Sequence, residues 1–354
     1  MNLTTDYMGL TLRSPLIASA SPLTSELPKL LALQDGGAGA VVLPSLFAEQ
    51  IEADSRRNEA LSGAGANSSP EARSYLPAPA DYHLQAYQYI DLLRCATRQL
   101  EIPVIASLNG ATEGSGTNNW TDYARQLEDA GAAALELNIY FLATDLSQTG
   151  RDIEQRYLHI VNAVRQRVQI PIAVKLGPYF SAPGHFAIEL AAAGANGLVL
   201  FNRFYQPDID TVRLKIRNNL ELSRSSEMRL PLLWIAVLHG HIKASLAATT
   251  GVHSADDVVQ YLLAGADVVM TTSALLEHGV GHMRTLVDGL AAWLEARAMD
   301  DLSGMRGILA QRNSARPEEY QRANYIKILQ GYETTPPRNS VPPPPRHMRG
   351  ARHD

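Results

Sequence analysis

Four polar side chains stand at or near the ends of otherwise apolar runs: Asn109 in IASLN, Asn138 in ALELN, Lys175 in IAVKL and Asn202 in LVLFN. An unpaired ammonium inside such a run is costly to bury, so Lys175 needs a reason to be there. Two reasons are available. It can pair with Glu136 on a neighbouring run, or it can face the electron-rich edge of a cofactor that gains negative charge on reduction. Each asparagine offers an acceptor and two donors, which suits the imide edge of a flavin or a pyrimidine-like ligand. Further along, Thr249-Thr250-Gly251 and Thr271-Thr272-Ser273 each follow a short apolar run. Hydroxyls and backbone N–H groups converging from two such loops make a seat for a phosphate. Near the N-terminus, Ala18-Ser19 supplies small residues against which a flat ring can lie.

These groups can meet only if their runs are strands of one sheet. A Gly-rich step followed by an apolar run recurs as GGAGAVVLP (36–44), AGAAALELN (130–138), AGANGLVLF (193–201) and AGADVVM (264–270). Between them lie IPVIASL (102–108), IPIAVKL (170–176) and KASLAA (243–248), with SPLIASAS (14–21) in front. Eight such runs, each followed by enough chain for a helix, predict an α/β fold: a parallel sheet covered by helices and closed as a (β/α)8 TIM barrel. In that count 243–248 and 267–270 are the seventh and eighth strands, whose loops often hold a phosphate in such barrels.

Helices are expected over 24–34, 83–99, 120–130, 152–168, 183–193, 231–239 and 290–298. Ser254 with Asp257 reads as a capping box opening another, which Gly265 ends. Two long connections, 45–82 and 203–229, leave the C-terminal face of the strands and would shape a substrate pocket. The chain then divides into a barrel (1–306), a helical extension (307–333) with a helix over 317–330, and a Pro- and Arg-rich tail (334–354) expected to be disordered.

Composition narrows the function. The chain has 354 residues, of which 45% are hydrophobic, with a net charge of −5 and an isoelectric point near 6.1. A large core is therefore expected and no general attraction to nucleic acid. No apolar run reaches spanning length and no basic-then-apolar leader opens the chain, so no membrane partner and a cytoplasmic location are expected. The single cysteine, Cys95, excludes an intramolecular disulfide and a cysteine-rich metal site. Its setting, DLLRCATRQL, reads as an inert core thiol on a packing helix. No metal is expected.

Taken in order, the runs SPLIASAS, SLNG, ELN, AVKLGPYF, VLFN, ATTGV and TTSAL resemble the dihydroorotate dehydrogenase family of FMN-containing barrels, its soluble class 1 branch in particular. AVKLGPYF carries its most specific piece, KLGPYF. The stretch MRGILAQRN…YQRANYIKILQ resembles a subgroup described as dihydroorotate dehydrogenase-like. The resemblance implies an FMN-dependent oxidoreductase acting on a CH–CH bond, dihydroorotate to orotate, in pyrimidine biosynthesis. It puts Lys175 at the flavin pyrimidine edge, with Thr249, Thr250, Gly251, Thr272 and Ser273 on the phosphate. Ala18, Ser19 and Asn109 would line the ring, and Asn138 and Asn202 would face flavin and substrate. FMN rather than FAD is expected, because no second Gly-rich βαβ fingerprint is present for an adenosine half.

The departures are equally specific. Active members of the family carry a Cys or Ser three residues beyond the fourth-strand asparagine, and that group removes a proton from the substrate. Here the run is Asn138-Ile139-Tyr140-Phe141, and phenylalanine accepts no proton. Tyr140, Tyr179 and His185 are candidates for moving a proton on a different substrate; Tyr140 is grouped with Lys175, Asn138 and Asn202 as catalytic. Pro44 also precedes Ser45 where the family tends to have a lysine. Two readings follow: an FMN oxidoreductase for dihydroorotate or another small cyclic imide or enone, or a non-catalytic flavin- or phosphate-binding barrel serving as an interaction or regulatory subunit. An RNA-modifying flavin barrel is disfavoured by the acidic isoelectric point and the absence of a basic domain. The electron acceptor and the choice between monomer and homodimer are left open.

Overall fold

The computed structural model describes residues 1–48, 50–51, 86–110, 120–139, 141–203, 207–217 and 220–321. Eight parallel strands close into a barrel: β1 (Leu16–Ala18), β2 (Ala40–Phe47), β3 (Val104–Asn109), β4 (Ala134–Asn138), β5 (Ile172–Leu176), β6 (Gly197–Leu200), β7 (Ser245–Ala248) and β8 (Val268–Thr271). Each pairs with its sequence neighbours, and β8 returns to β1 with Met270 opposite Ile17. The expected seventh and eighth strands are adjacent, Ala247 lying opposite Val268.

The covering helices are α1 (Leu27–Asp35), α2 (Ala86–Gln99), α3 (Trp120–Asp129), α4 (Gly150–Arg165), α5 (Pro183–Ala192), α6 (Arg229–Leu238), α7 (Ala255–Ala264), α8 (Ser273–His278) and α9 (His282–Glu295). The capping box at α7 is formed: Ser254 accepts from the Asp257 N–H, and the Asp257 carboxylate accepts from the Ser254 N–H. Gly265 ends that helix at φ +114, a left-handed cap. Two starts differ from expectation for the same reason. Ser21 caps a short 3-10 turn over Pro22–Thr24, so α1 begins only at Leu27. Thr149 and Asp152 form a second box, so α4 begins at Gly150. The last barrel helix begins well before 290. No described helix is long and apolar enough to cross a membrane.

Small inward residues at the N-terminal ends of the strands, Ala40, Ala134, Ala173 and Ala247, leave space that Tyr7 and Met8 fill. These two come from a hairpin, Thr5–Tyr7 with Leu10–Leu12, that the hydrophobic pattern of the barrel strands did not announce. Its turn, Met8-Gly9, has φ +55 and +81, the two positive values of a type I′ hairpin turn. The barrel is thus plugged at one end, and among the described residues it is open at the other.

Strand β2 contains an extra residue. Val42 lies opposite Ile105, yet Ser45 lies opposite Ser107. Pro44 has no N–H to give a ladder, and a bulge is where a strand tolerates it. The strand then runs on to Phe47, so the first long connection starts later than expected, and most of it, 52–85, lies outside the described residues. The second long connection carries a hairpin, Asp208–Asp210 with Lys215–Arg217. Buried Asp210 braces it, accepting from Arg213 and Arg217 at 3.2 Å each.

One expectation for a side chain fails outright. Cys95 is exposed, because α2 buries Tyr89, Ile90, Leu93 and Ala96 and turns residue 95 outward. A compact unit spans Met1–Ser314. Of the helix expected over 317–330, the described residues show a 3-10 turn at Pro317–Tyr320. Residues 322–330 and the tail 334–354 lie outside the described residues.

Candidate active site

Alternation along the strands decides which side chains enter the barrel. On β4 it turns Ala134, Glu136 and Asn138 inward, and on β5 Ala173 and Lys175. The register sets Asn109 opposite Asn138, and Asn138 opposite Lys175, so three of the sequence candidates share one level. Lys175 is 8% exposed and Glu136 is wholly buried. Its Nζ lies 3.5 Å from Glu136 Oε1 and 3.4 Å from Ser19 Oγ. Among the described residues neither carboxylate oxygen of Glu136 has a hydrogen-bond partner, and Lys175 is the charge beside it. The pairing with Glu136 is therefore present, and the other reading stays compatible with it. It pairs downward with Glu136, and its long contacts leave ammonium donors for a ligand above. The same buried charge acts on Tyr7, whose phenol is pushed well up, by burial first and then by Glu136 and Asp267.

The asparagines form a chain. Asn202 Nδ2 donates to Asn138 Oδ1 at 2.7 Å, and Asn138 Nδ2 donates to Ser45 Oγ at 3.1 Å. Ser45 Oγ in turn meets Ser107 Oγ at 2.9 Å. At the bulge the backbone of Ser107 turns to a side chain, its N–H donating to the Tyr89 hydroxyl at 2.9 Å. Ser45 was not among the sequence candidates. Only the bulge brings it to Asn138.

At the other side of the mouth the loops after β7 and β8 meet a residue from the second long connection. Ser223 Oγ lies 2.9 Å from Ser273 Oγ and accepts from the Gly251 N–H at 3.1 Å. The Ser223 N–H donates to Ser273 Oγ at 3.1 Å. Two of the groups expected at a phosphate seat, the Gly251 N–H and the Ser273 hydroxyl, are thus gathered at one point by Ser223, which was not expected there. Thr250 holds φ +81, a costly value for a β-branched residue. It is held there by Thr250 Oγ1 donating to the Phe201 carbonyl at 3.0 Å and by the buried Tyr261 hydroxyl donating to the Thr250 carbonyl at 2.8 Å. Gly251 is required for a different reason than ligand approach: a Cβ there would stand 2.6 Å from Met228 Cγ and 2.7 Å from the Arg224 carbonyl.

Two cavities open on this face. One, of about 290 Å³, is bordered by Ser19, Ser223, Thr249, Thr250, Gly251, Thr272 and Ser273. The other, of about 330 Å³, is bordered by Ser45, Gln50, Tyr89 and Asn138. They share Ala20, Ser21, Pro22, Lys175 and Asn202, so Lys175 and Asn202 stand at the junction.

Other candidates fall outside the mouth. Ala18 and Asn109 are buried at their strand ends and border neither cavity. Tyr140 lies outside the described residues. Tyr179 is 66% exposed, and His185 is exposed on α5 beside Glu189; neither borders either cavity. Phe141 borders neither cavity. Its ring lies under the Arg156 guanidinium, 4.1 Å from carbon to ring centre. Ser223 and Tyr261 were missed because nothing local marks them: each acts through a partner far along the chain.

A sequence model of the dihydroorotate dehydrogenase family matches residues 81–294. This chain belongs to that family. Among its relatives is an Aeropyrum pernix protein provisionally named dihydroorotate dehydrogenase A (fumarate), 32% identical over 60% of this chain and 70% of the relative. Another is the dihydroorotate dehydrogenase B (NAD(+)) catalytic subunit of Methanothermobacter thermautotrophicus, 25% identical over 86% of this chain and 98% of the relative. Dihydroorotate dehydrogenases are FMN-dependent flavoproteins that act on a CH–CH bond. The residues present fit that cofactor. A cationic Lys175 with only long contacts stands at the junction, and a cluster of hydroxyls with a backbone N–H stands at the far end of one cavity.

Proposed function

We propose that this chain is an FMN-dependent oxidoreductase of the dihydroorotate dehydrogenase type, acting on dihydroorotate or a related cyclic imide or enone without the usual proton-abstracting side chain. The observation that supports this most is the position of Lys175 and Asn202 where the two cavities join. Bound FMN would exchange a hydride with a carbon of the substrate. The chain's own residues would do the rest. Thr249, Thr250, Gly251, Thr272 and Ser273, with Ser223, would hold the phosphate through hydroxyl and N–H donors. Ser19 would stand against the ring, and Lys175 would put its charge at the pyrimidine edge, where negative charge grows. Asn138 and Asn202 would orient the substrate in the second cavity, their amides already aligned by each other and by Ser45.

What this set lacks is a base. A positioned base is worth about 10²–10⁴ in rate. Phe141 supplies none and is turned towards Arg156. Very weak oxidation of dihydroorotate follows, with FMN still held. A second reading, a barrel that keeps FMN but serves as an interaction or regulatory subunit, draws on the same observation.

The test is a flavin spectrum of the purified protein, then single-turnover bleaching by dihydroorotate without oxygen. Bound FMN with slow bleaching is expected. Rapid bleaching would mean that another side chain, Tyr140 for one, supplies the base. Bound FMN that dihydroorotate never bleaches points to another substrate or to the second reading. A protein that takes up no FMN sinks both.

A further inference from the structure

Behind the phosphate loops, His253, Glu277 and His278 bring one ligand atom each within 4.8 Å of one another. His253 follows the loop after β7, while Glu277 and His278 end α8, so the three tie the two loops together. The orientation of His253 is informative. Its Nε2 meets the Ser223 carbonyl, and a carbonyl only accepts, so Nε2 carries the proton and donates. In the neutral ring Nδ1 then holds a lone pair. That lone pair faces Glu277 Oε2 at 3.7 Å, and His278 Nε2 faces the same oxygen at 3.9 Å. With His278 in the tautomer protonated on Nδ1, three electron-pair donors converge on one point with no hydrogen between them.

A cation resolves this. Histidines that bind metals almost always donate their other ring N–H to a carbonyl or carboxylate, which fixes the tautomer. His253 has that arrangement already. Zinc bonds to imidazole and carboxylate of about 2.0–2.2 Å put tetrahedral ligand atoms roughly 3.3–3.5 Å apart, a small closure from the separations seen. His278 and Glu277 are about half exposed, at 47% and 52%, so both can move to close it. The cavity alongside, bordered by Ser223, Arg224, His253 and Glu277, leaves a side open to water. Arg224 is the cation on that border, and Glu221, on the same border, is a second carboxylate.

We propose that His253 Nδ1, Glu277 and His278 Nε2 form a binding site for a zinc-class divalent ion, with water completing the shell. The site clips the loop after β7 to α8, and through Ser223 it steadies the residue that gathers Gly251 and Ser273. It stands apart from the redox assignment, since the ion is held whether or not flavin is bound.

The test uses the full chain without an affinity tag, stripped with EDTA and titrated with Co²⁺ while visible absorption is followed, then with Zn²⁺ in competition. One equivalent of Co²⁺ with the intense absorption of a low-coordinate site, displaced by Zn²⁺, is expected. His278→Ala and Glu277→Gln alter exposed side chains and should leave the fold intact by circular dichroism. Each should weaken Co²⁺ binding at least about tenfold, as loss of even supporting groups does at such sites; His253→Ala should abolish it. No Co²⁺ absorption would overturn the proposal and leave a proton as the bridging cation. Binding unchanged in both exposed variants would overturn it as well.

Discussion

The two sides of the barrel mouth differ in how firmly they are built. On the phosphate side, Gly251, Ser223 and Ser273 are hydrogen-bonded to one another, and the strained Thr250 is pinned by Tyr261. On the side proposed for substrate, the bulge at Pro44 brings Ser45 to Asn138, and Phe141, after the fourth strand, lies under Arg156. Lys175 belongs to both sides. On the proposed reading, a site keeps the parts that hold a cofactor while the part that completes one reaction is gone. Holding depends on many mutually supporting donors, whereas proton removal depends on a single group with a suitable pKa.

The sharpest way to break this contrast is to restore the missing group. Phe141→Cys should speed flavin bleaching by dihydroorotate, at most by the roughly 10²–10⁴ of a positioned base. The gain should fall towards the lower end, because residue 141 must first turn from Arg156 to the mouth. Stopped-flow absorbance of the bound flavin reads it. An unchanged rate in a variant that holds FMN normally would show that the substrate side has lost more than its base.

Next in size is the shared residue. Lys175→Met leaves the buried Glu136 carboxylate without its offsetting charge, a loss of about 3–5 kcal/mol by analogy with other broken buried pairs. Denaturant unfolding should show it, with FMN occupancy falling in parallel. Adding Glu136→Gln should recover much of the stability but not the FMN. Recovery of both would mean that Lys175 serves only the carboxylate below it.

The smallest effect is expected from Tyr261→Phe, which removes the donor to the Thr249 and Thr250 carbonyls. Leaving a buried acceptor unpaired costs about 1–3 kcal/mol, here with a strained threonine free to relax. A lower Tm and a several-fold weaker hold on FMN should follow. Unaltered FMN affinity would show that the phosphate side does not rely on the conformation of Thr250.

What the sequence determined by itself was whatever repeats locally. Apolar runs, four of them after Gly-rich steps, marked all eight strands and their order, and Ser254 with Asp257 and Gly265 marked both ends of a helix. Position at or near the ends of apolar runs marked Asn109, Asn138 and Lys175 as one set of polar groups. Such signals are legible because a strand or a helix cap is decided by residues a few positions apart. The tertiary structure decided everything that depends on distant partners. It brought Ser223 from the connection after β6 to Gly251 and Ser273, and Ser45 to Asn138 across a bulge. It set Tyr7 and Met8 into the floor of the barrel, turned Cys95 to solvent and put Phe141 under Arg156. Each of these depends on which surfaces close packing brings together, and a window of sequence holds only one side of such a contact.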